Sequence, residues 1–403
     1  QALGVLFDAK PPVDPPLDAN TGQTWIVPGN SESNSERADL MYMTFAWWFD
    51  VLRRSGNSIA DRITWFYHTH FTTISSRINR GSVIYYQIKL FKHYALGNFK
   101  ELCKKLCYDN AMLDHLDGRY NSVGLPNENF AREFFELYTI GKGEQAGPND
   151  YTTYTEHDVI ESSKVLSGYK TDWDYVNIDP DTGVAMGVLR GNGNVATHHD
   201  ASIKKFSSRF QETIIQPKEL IGDKATKEAA MDELDQLVTM IFDQEATARN
   251  ICRKLYRFFG YYEITEEIEN DIIRPLAQTF IDNGYEMQPV LQQLFRSTHF
   301  YDADNGTEVD DNRGGIIKSP LEIVLGSLRF FNIQLPDPLL NLSEFYEANF
   351  DLVFEKLKHQ GLNFYEPFEV AGYKAYHQAP AYNRNWITAN NLARRYQIST
   401  DLL

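Results

Sequence analysis

The sequence predicts a mainly α protein: a large multi-helix body carrying a small β-hairpin or irregular excursion near residues 173–200. Three observations carry this. Apolar residues recur at spacings of three and four over most of the chain, the spacing that lines one helix face. Helix-opening polar residues stand directly before several of these runs. The Pro and Gly turn signals gather between Trp173 and Phe206, at Asp179-Pro180-Asp181-Thr182-Gly183 and Gly191-Asn192-Gly193, around short alternating pieces such as Val184 to Leu189.

The elements follow in order. Pro11-Pro12-Val13-Asp14-Pro15-Pro16 predicts an extended N-terminal segment through residue 35. Leu40, Met41, Phe45, Trp48, Val51 and Leu52 predict an amphipathic helix from Glu36, and further helices follow at Ile59–Phe71 and Tyr85–Tyr108, the latter interrupted at Gly97-Asn98. Asn127 caps a predicted helix over Glu128–Leu137, stopped by Gly141 and Gly143; Thr155 caps another, ended by Gly168. Helices resume at 227–242, 246–259, 266–283, 287–296 and 320–331, and the last covers 386–396. Gly361–Pro380 predicts a packed aromatic loop. The expected organisation is an N-terminal helical part, 36–210, and a C-terminal helical part, 211–403, which together can form one domain.

Composition excludes several classes. With 403 residues, 42% hydrophobic and 23% charged, the chain can bury a core. Lys+Arg 39 against Asp+Glu 55 gives a net charge of −16, the wrong sign for a sequence-blind nucleic-acid binder or an anionic-membrane binder. No apolar run reaches the length of a membrane span. Three cysteines cannot build a disulfide framework; Cys103 and Cys107 read as small core residues, or as two thiolates for a metal. The chain opens on Gln1 with no charged leader, as expected of a processed or partial product.

Several constellations can carry chemistry. Glu128, Arg132 and Glu136 stand at i, i+4, i+8, with Glu133 one position round. They form either an ion-pair ladder, worth about 0.2–0.5 kcal/mol per exposed link, or an inward carboxylate cluster such as binds metals in helical bundles. His68 and His70 sit among Trp65, Phe66, Tyr67 and Phe71. On a strand they would clamp one metal; on a helix they diverge by about 200°. A divalent metal held by His68 or His70 together with Glu133 or Glu136 is the metal reading. His199 beside Asp200 has the makings of a general base, or of a capping turn in which Asp200 opens a helix running to Phe206. Asp302 to Asp311 is an acidic stretch that faintly matches a calcium loop, without its closing glutamate. Tyr365, Tyr373, Tyr376, His377, Tyr382 and Trp386 pack a lid, stack on sugar rings or line a partner groove. The nucleophile-elbow, zinc-protease and phosphate-loop signatures do not occur.

The run Pro126-Asn127-Glu128-Asn129-Phe130-Ala131-Arg132-Glu133-Phe134-Phe135-Glu136-Leu137-Tyr138-Thr139-Ile140-Gly141 resembles the signature of the bacterial "domain of unknown function 1800" family. Further blocks follow in that family's order: Trp65 to Phe71, Ala111-Met112-Leu113, Tyr154 to Val159, Leu166-Ser167-Gly168-Tyr169, His199-Asp200 with Lys204 or Lys205, Ala246 to Leu255, Lys318-Ser319-Pro320 and Val370 to Tyr373. The resemblance spans roughly residues 40 to 395. It departs where Asn110 and Tyr373 replace the usual Pro and Trp, and where the family's opening block is absent. It implies a helical, secreted, periplasmic or cell-surface bacterial protein, encoded near a sulfatase-like family whose members are candidate partners. It implies no reaction. The expected function is a structural or interaction subunit of an envelope assembly with protein partners and possible polysaccharide. The alternative is an envelope enzyme, hydrolytic or metal-dependent, with Glu128, Arg132, Glu133, Glu136, His199 and Asp200 as catalytic candidates.

Overall fold

The computed structural model describes residues 6–7, 14–56, 58–148, 150–301, 315–367 and 371–401. The structure is 54% helical, against about a third in an average globular protein, so the expected fold class holds. The chain divides into two compact units that interleave in sequence: residues 1–95, 256–263 and 297–403 form the first, 96–255 and 264–296 the second. The boundary expected near residue 210 falls inside the second unit. The acidic stretch Asp302 to Asp311 lies outside the described residues, as do Pro11, Pro12 and Val13.

In the first unit the expected amphipathic helix spans Arg37–Arg54 and buries Leu40, Met41, Phe45, Trp48 and Leu52. Ser58 opens the next helix, Ile59–His70, by accepting the Ala60 N–H. The third, Gly81–His93, begins on a buried carboxylate: Glu32 accepts the N–H of Ser82 at 2.6 Å and of Gly81 at 3.2 Å, a negative group at the positive helix end. Gly81 is there for space. A Cβ at this position would lie 2.7 Å from the Leu40 carbonyl oxygen, so the glycine lets the first and third helices meet. Pro320–Phe330 carries a full capping box from Ser319 and Glu322. The helix Leu342–Phe350 and its π continuation Asp351–Leu357 were not expected from the sequence. Their apolar residues break register across the π turn, which defeats a 3.6-residue template.

The second unit holds Phe99–Leu106, Asn129–Glu133, Glu156–Val165, Lys227–Phe242 and most of Glu245–Phe259. Thr155 and Asp158 form the expected capping box. The β excursion is real but wider than 173–200. Tyr169–Lys170 pairs with Val188–Leu189, and further two-residue pairs join 145–147 to 150–151, 204–205 to 214–215 and 220–221 to 224–225. The helix from Asp200 to Phe206 does not form. The Asp200 carboxylate closes a local turn on the Ser202 N–H, and Lys204–Lys205 is drawn into a strand with Ile214–Ile215.

Two glycines test these packing arguments. Gly81→Ala should destabilise the protein by about 1–3 kcal/mol by forcing two helices apart. Gly326→Ala, in a helix interior with no atom within 4 Å of the new methyl, should stabilise it by about 0.5–1 kcal/mol. Urea denaturation of both variants measures this; equal and opposite-to-expected shifts would refute the reading.

Candidate functional site

The signature run Glu128 to Gly141 begins as an α-helix and changes pitch. Asn129–Glu133 is α, opened by Asn127 accepting the Asn129 N–H, and Phe134–Tyr138 is a π turn. Phe130, Phe134, Phe135 and Tyr138 anchor it in the core. The wider turn ends on carbonyls that have no partner further along the helix, and the Glu245–Phe259 helix supplies donors. Lys254 Nζ reaches the Leu137 oxygen at 2.5 Å and Asn250 Nδ2 the Thr139 oxygen at 2.7 Å. Gly141 has φ +81°, and a Cβ there would touch the Asn250 amide at 3.0 Å, so only glycine closes the turn.

The pitch change splits the expected ladder. One extra residue in the turn rotates Glu136 away from Arg132. Arg132 instead makes a two-pronged pair with Glu156, at 2.7 and 2.5 Å, and a looser one with Glu128 at 3.5 Å. Glu136 pairs with Lys142 at 3.0 Å and accepts the Tyr154 hydroxyl at 3.1 Å. Arg132 and Glu156 are each one-third exposed, so this is a boundary network rather than a buried one. Glu133 lies half-buried between these pairs. Burial pushes its carboxyl up and the Glu136 charge adds to that, against a weaker pull from Arg132 and Lys142. The arrangement is two neighbouring carboxyls in unlike surroundings, a form suited to proton transfer.

His199 and Asp200 do not act as a pair. The His199 ring is fully buried, with Nδ1 3.0 Å from the Ser167 carbonyl oxygen and Nε2 2.9 Å from Glu233 Oε2. Both ring nitrogens thus have an oxygen partner, one on the backbone and one on a side chain. Lys204, also fully buried, bonds the same Glu233 oxygen and the Asp200 carbonyl. Burial lowers the Lys204 ammonium despite the adjacent Glu233 charge. Asp200 faces the other way. Burial works against its charge, but the Ser202 hydrogen bonds and Lys204 hold it below the ordinary carboxyl range. Glu233 went unseen in the sequence analysis. Its signal was there: it follows Ala229 and Ala230 and precedes Leu234, Leu237 and Val238 on the buried face of Lys227–Phe242.

His68 and His70 belong to the first unit and lie on a helix, so they diverge. His68 is boxed by Trp48, Trp65 and Tyr365 at 4.9, 5.0 and 4.3 Å between ring centres, and its Nε2 lies 3.1 Å from the Tyr373 hydroxyl. Tyr373 donates onward to the Asn363 carbonyl, so His68 Nε2 is the donor to Tyr373. Burial pulls the His68 ring down to about 3 and keeps it neutral. His70 stacks on Phe66. The C-terminal aromatics thus close over this helix: Tyr376 accepts the Trp65 indole N–H, and the His377 ring bonds the Thr69 carbonyl. Glu133 and Glu136 belong to the second unit, and among the described residues no group of three or more His, Cys, Asp or Glu is placed to hold a metal ion. Cys103, Cys107 and Cys252 are free and buried. Cavities of about 320, 720 and 530 Å³ lie in the first unit; their linings hold none of the charged or histidine site candidates, and the candidate aromatics Tyr373 and Trp386 line the third.

A family model described as "Protein of unknown function (DUF1800)" matches residues 6–403. No curated protein and no solved structure matches the chain. No described helix is long and apolar enough to cross a membrane.

The two charge networks should respond differently to truncation. Lys204→Met strips a cation from a buried carboxylate and should cost about 3–5 kcal/mol, whereas Arg132→Leu at the boundary should cost about 1 kcal/mol. Similar losses in denaturant melts would contradict the burial difference. His68 gives a pH signature. Its ring titrates near 3 folded and 6.5 unfolded, so the unfolded chain binds the extra proton between those values. Stability from this residue is complete above pH 6.5 and falls as pH drops towards 3, by at most about 1.4 kcal/mol per unit. Stability measured against pH should be flatter over that window in His68→Phe.

Proposed function

We propose that this chain, which belongs to the DUF1800 family of proteins of unknown function, is an interaction subunit of an extracellular or envelope assembly. The observation that carries this is the exposure of large apolar side chains over 330–340. Phe330 is 82% exposed, Leu339 84% and Leu340 87%. Each leaves apolar area in water that a partner surface would remove, at about 25 cal/mol per Å². The candidate catalytic groups support the same reading by their dispersal. His199 is closed off in the core, Arg132 is tied to Glu156, and His68 is caged by aromatics. The partner is a protein, with the sulfatase-like family as the candidate, and the setting is secreted, periplasmic or cell-surface.

A second reading keeps one specific support: Glu133, half-buried with a raised carboxyl beside Glu136 on a π turn, a helix form frequent at functional sites. It makes the chain an envelope hydrolase in which Glu133 gives the proton.

Cell fractionation of the native source, followed by co-purification with the sulfatase-like protein, tests the first reading. The triple variant Phe330→Ser, Leu339→Ser, Leu340→Ser should lose the partner while melting at the parent temperature. A variant that assembles as well as the parent would remove the apolar segment from the interface. Hydrolytic activity on envelope polymers that disappears in Glu133→Gln would favour the second reading.

A further inference from the structure

Two cavities of the first unit, about 320 and about 720 Å³, adjoin, because Ser55 and Asp61 line both. Both volumes fall in the range of ligand pockets. They lie where the helix Arg37–Arg54 ends and the helix Ile59–His70 begins.

The larger lobe has a built wall. The Trp47 indole N–H donates to the Asp14 carbonyl at 2.9 Å, and the Tyr346 hydroxyl donates to the Leu17 carbonyl at 2.5 Å. Two helices thus hold both ends of the segment Asp14–Leu17, and Pro15-Pro16 spans the gap along the lobe. A proline ring takes the place of the backbone N–H, so the span adds hydrocarbon and gives no main-chain donor. Val51, Leu342 and Phe345 line the same lobe. A peptide laid along a wall as a strand draws its affinity from main-chain hydrogen bonds. A wall of proline rings suits an alkyl chain instead.

The smaller lobe carries the charge. Among the described residues two acids line it, and each has its own base: Asp61 pairs with Lys92 at 3.0 Å, and Glu322 with Arg62 at 2.7 Å. Arg329 is left over. Its Nη2 bonds the Leu52 and Arg53 carbonyl oxygens at 3.3 and 3.2 Å, and among the described residues it pairs with no carboxylate. A guanidinium is a donor at all three nitrogens, so Nε and Nη1 keep N–H groups for an anion. Leu52, Ile59, Leu321 and Leu325 line the lobe with it. Gly326 leaves the lobe open, with no atom within 4 Å of the place a Cβ would take. In the larger lobe Asp50 is matched by Arg53 and Arg54, but Asp14 is exposed and has no base among the described residues. A ligand carboxylate is therefore repelled at Asp14 and drawn to Arg329.

We propose that the two lobes form one site for a long-chain carboxylate, a single-chain lipid with its head at Arg329 and its alkyl chain along Pro15-Pro16. The wall shares Pro338 and Leu339 with the apolar segment 330–340, and the lipid binds whether or not a protein docks there.

Isothermal titration calorimetry on the full chain tests this with octanoate, decanoate and dodecanoate, each below its micelle concentration. Dodecyltrimethylammonium and a capped Ala-Leu-Pro-Leu-Ala peptide are the controls. Dodecanoate should bind, and affinity should rise about fourfold per methylene, the gain from burying each one. Dodecyltrimethylammonium should bind more weakly. Arg329→Gln should weaken dodecanoate about tenfold, the loss expected for a hydrogen bond to a charged group, and should not weaken the cation. Gly326→Met fills the smaller lobe with a better helix former, so it should melt at or above the parent temperature and lose dodecanoate. The proposal is overturned if dodecanoate does not bind, if affinity is independent of chain length, or if the cation binds as tightly. It is overturned equally if folded Gly326→Met or Arg329→Gln binds dodecanoate like the parent. Tighter binding of the peptide than of dodecanoate would also overturn it and assign the groove to a protein.

Discussion

The second unit depends on one buried carboxylate. Glu233 has no exposure, and a lone charge there would cost several kcal/mol. It is held by two donors from the exit of the β excursion, His199 and Lys204. The same contacts reach back to Ser167 through the His199 ring and to the Asp200 carbonyl through the ammonium. Irregular chain that has little regular hydrogen bonding of its own is thereby pinned to the Lys227–Phe242 helix. Such a cluster specifies position more than it adds stability, because each ion also loses its water.

The π turn at Phe134–Tyr138 has the same kind of consequence on a smaller scale. Its carbonyls are bound by Lys254 and Asn250 of another helix, and the widened turn moves Glu136 off the Arg132 face. Two networks result where regular pitch would give one. Arg132 joins Glu156 next to the Thr155 capping box, and Glu136 joins Lys142 and Tyr154. Glu133 remains between them with its carboxyl raised by burial. A carboxyl pair arranged in this way is suited to proton transfer.

In the first unit the organising constraint is aromatic packing around a neutral histidine. His68 gives its one N–H to Tyr373 and is otherwise surrounded by rings. The C-terminal aromatic segment is therefore part of the core.

The sequence by itself determined the helices whose apolar period is clear: Arg37–Arg54, Ile59–His70, Glu156–Val165, with its Thr155 cap, and Lys227–Phe242. It also determined the mainly α class and the family. These are local properties, set by side-chain spacing within a few turns. Tertiary structure alone decided the partners. Arg132 finds Glu156 at the boundary and His199 finds Glu233 in the core, each many residues away, because a polar group pairs with whatever the fold brings near. It also decided the π turns, since donors from a distant helix stabilise a pitch that the local sequence does not encode. The nearest acid in sequence, Asp200, was the natural partner to expect for His199, but adjacent side chains point apart unless the backbone turns them together.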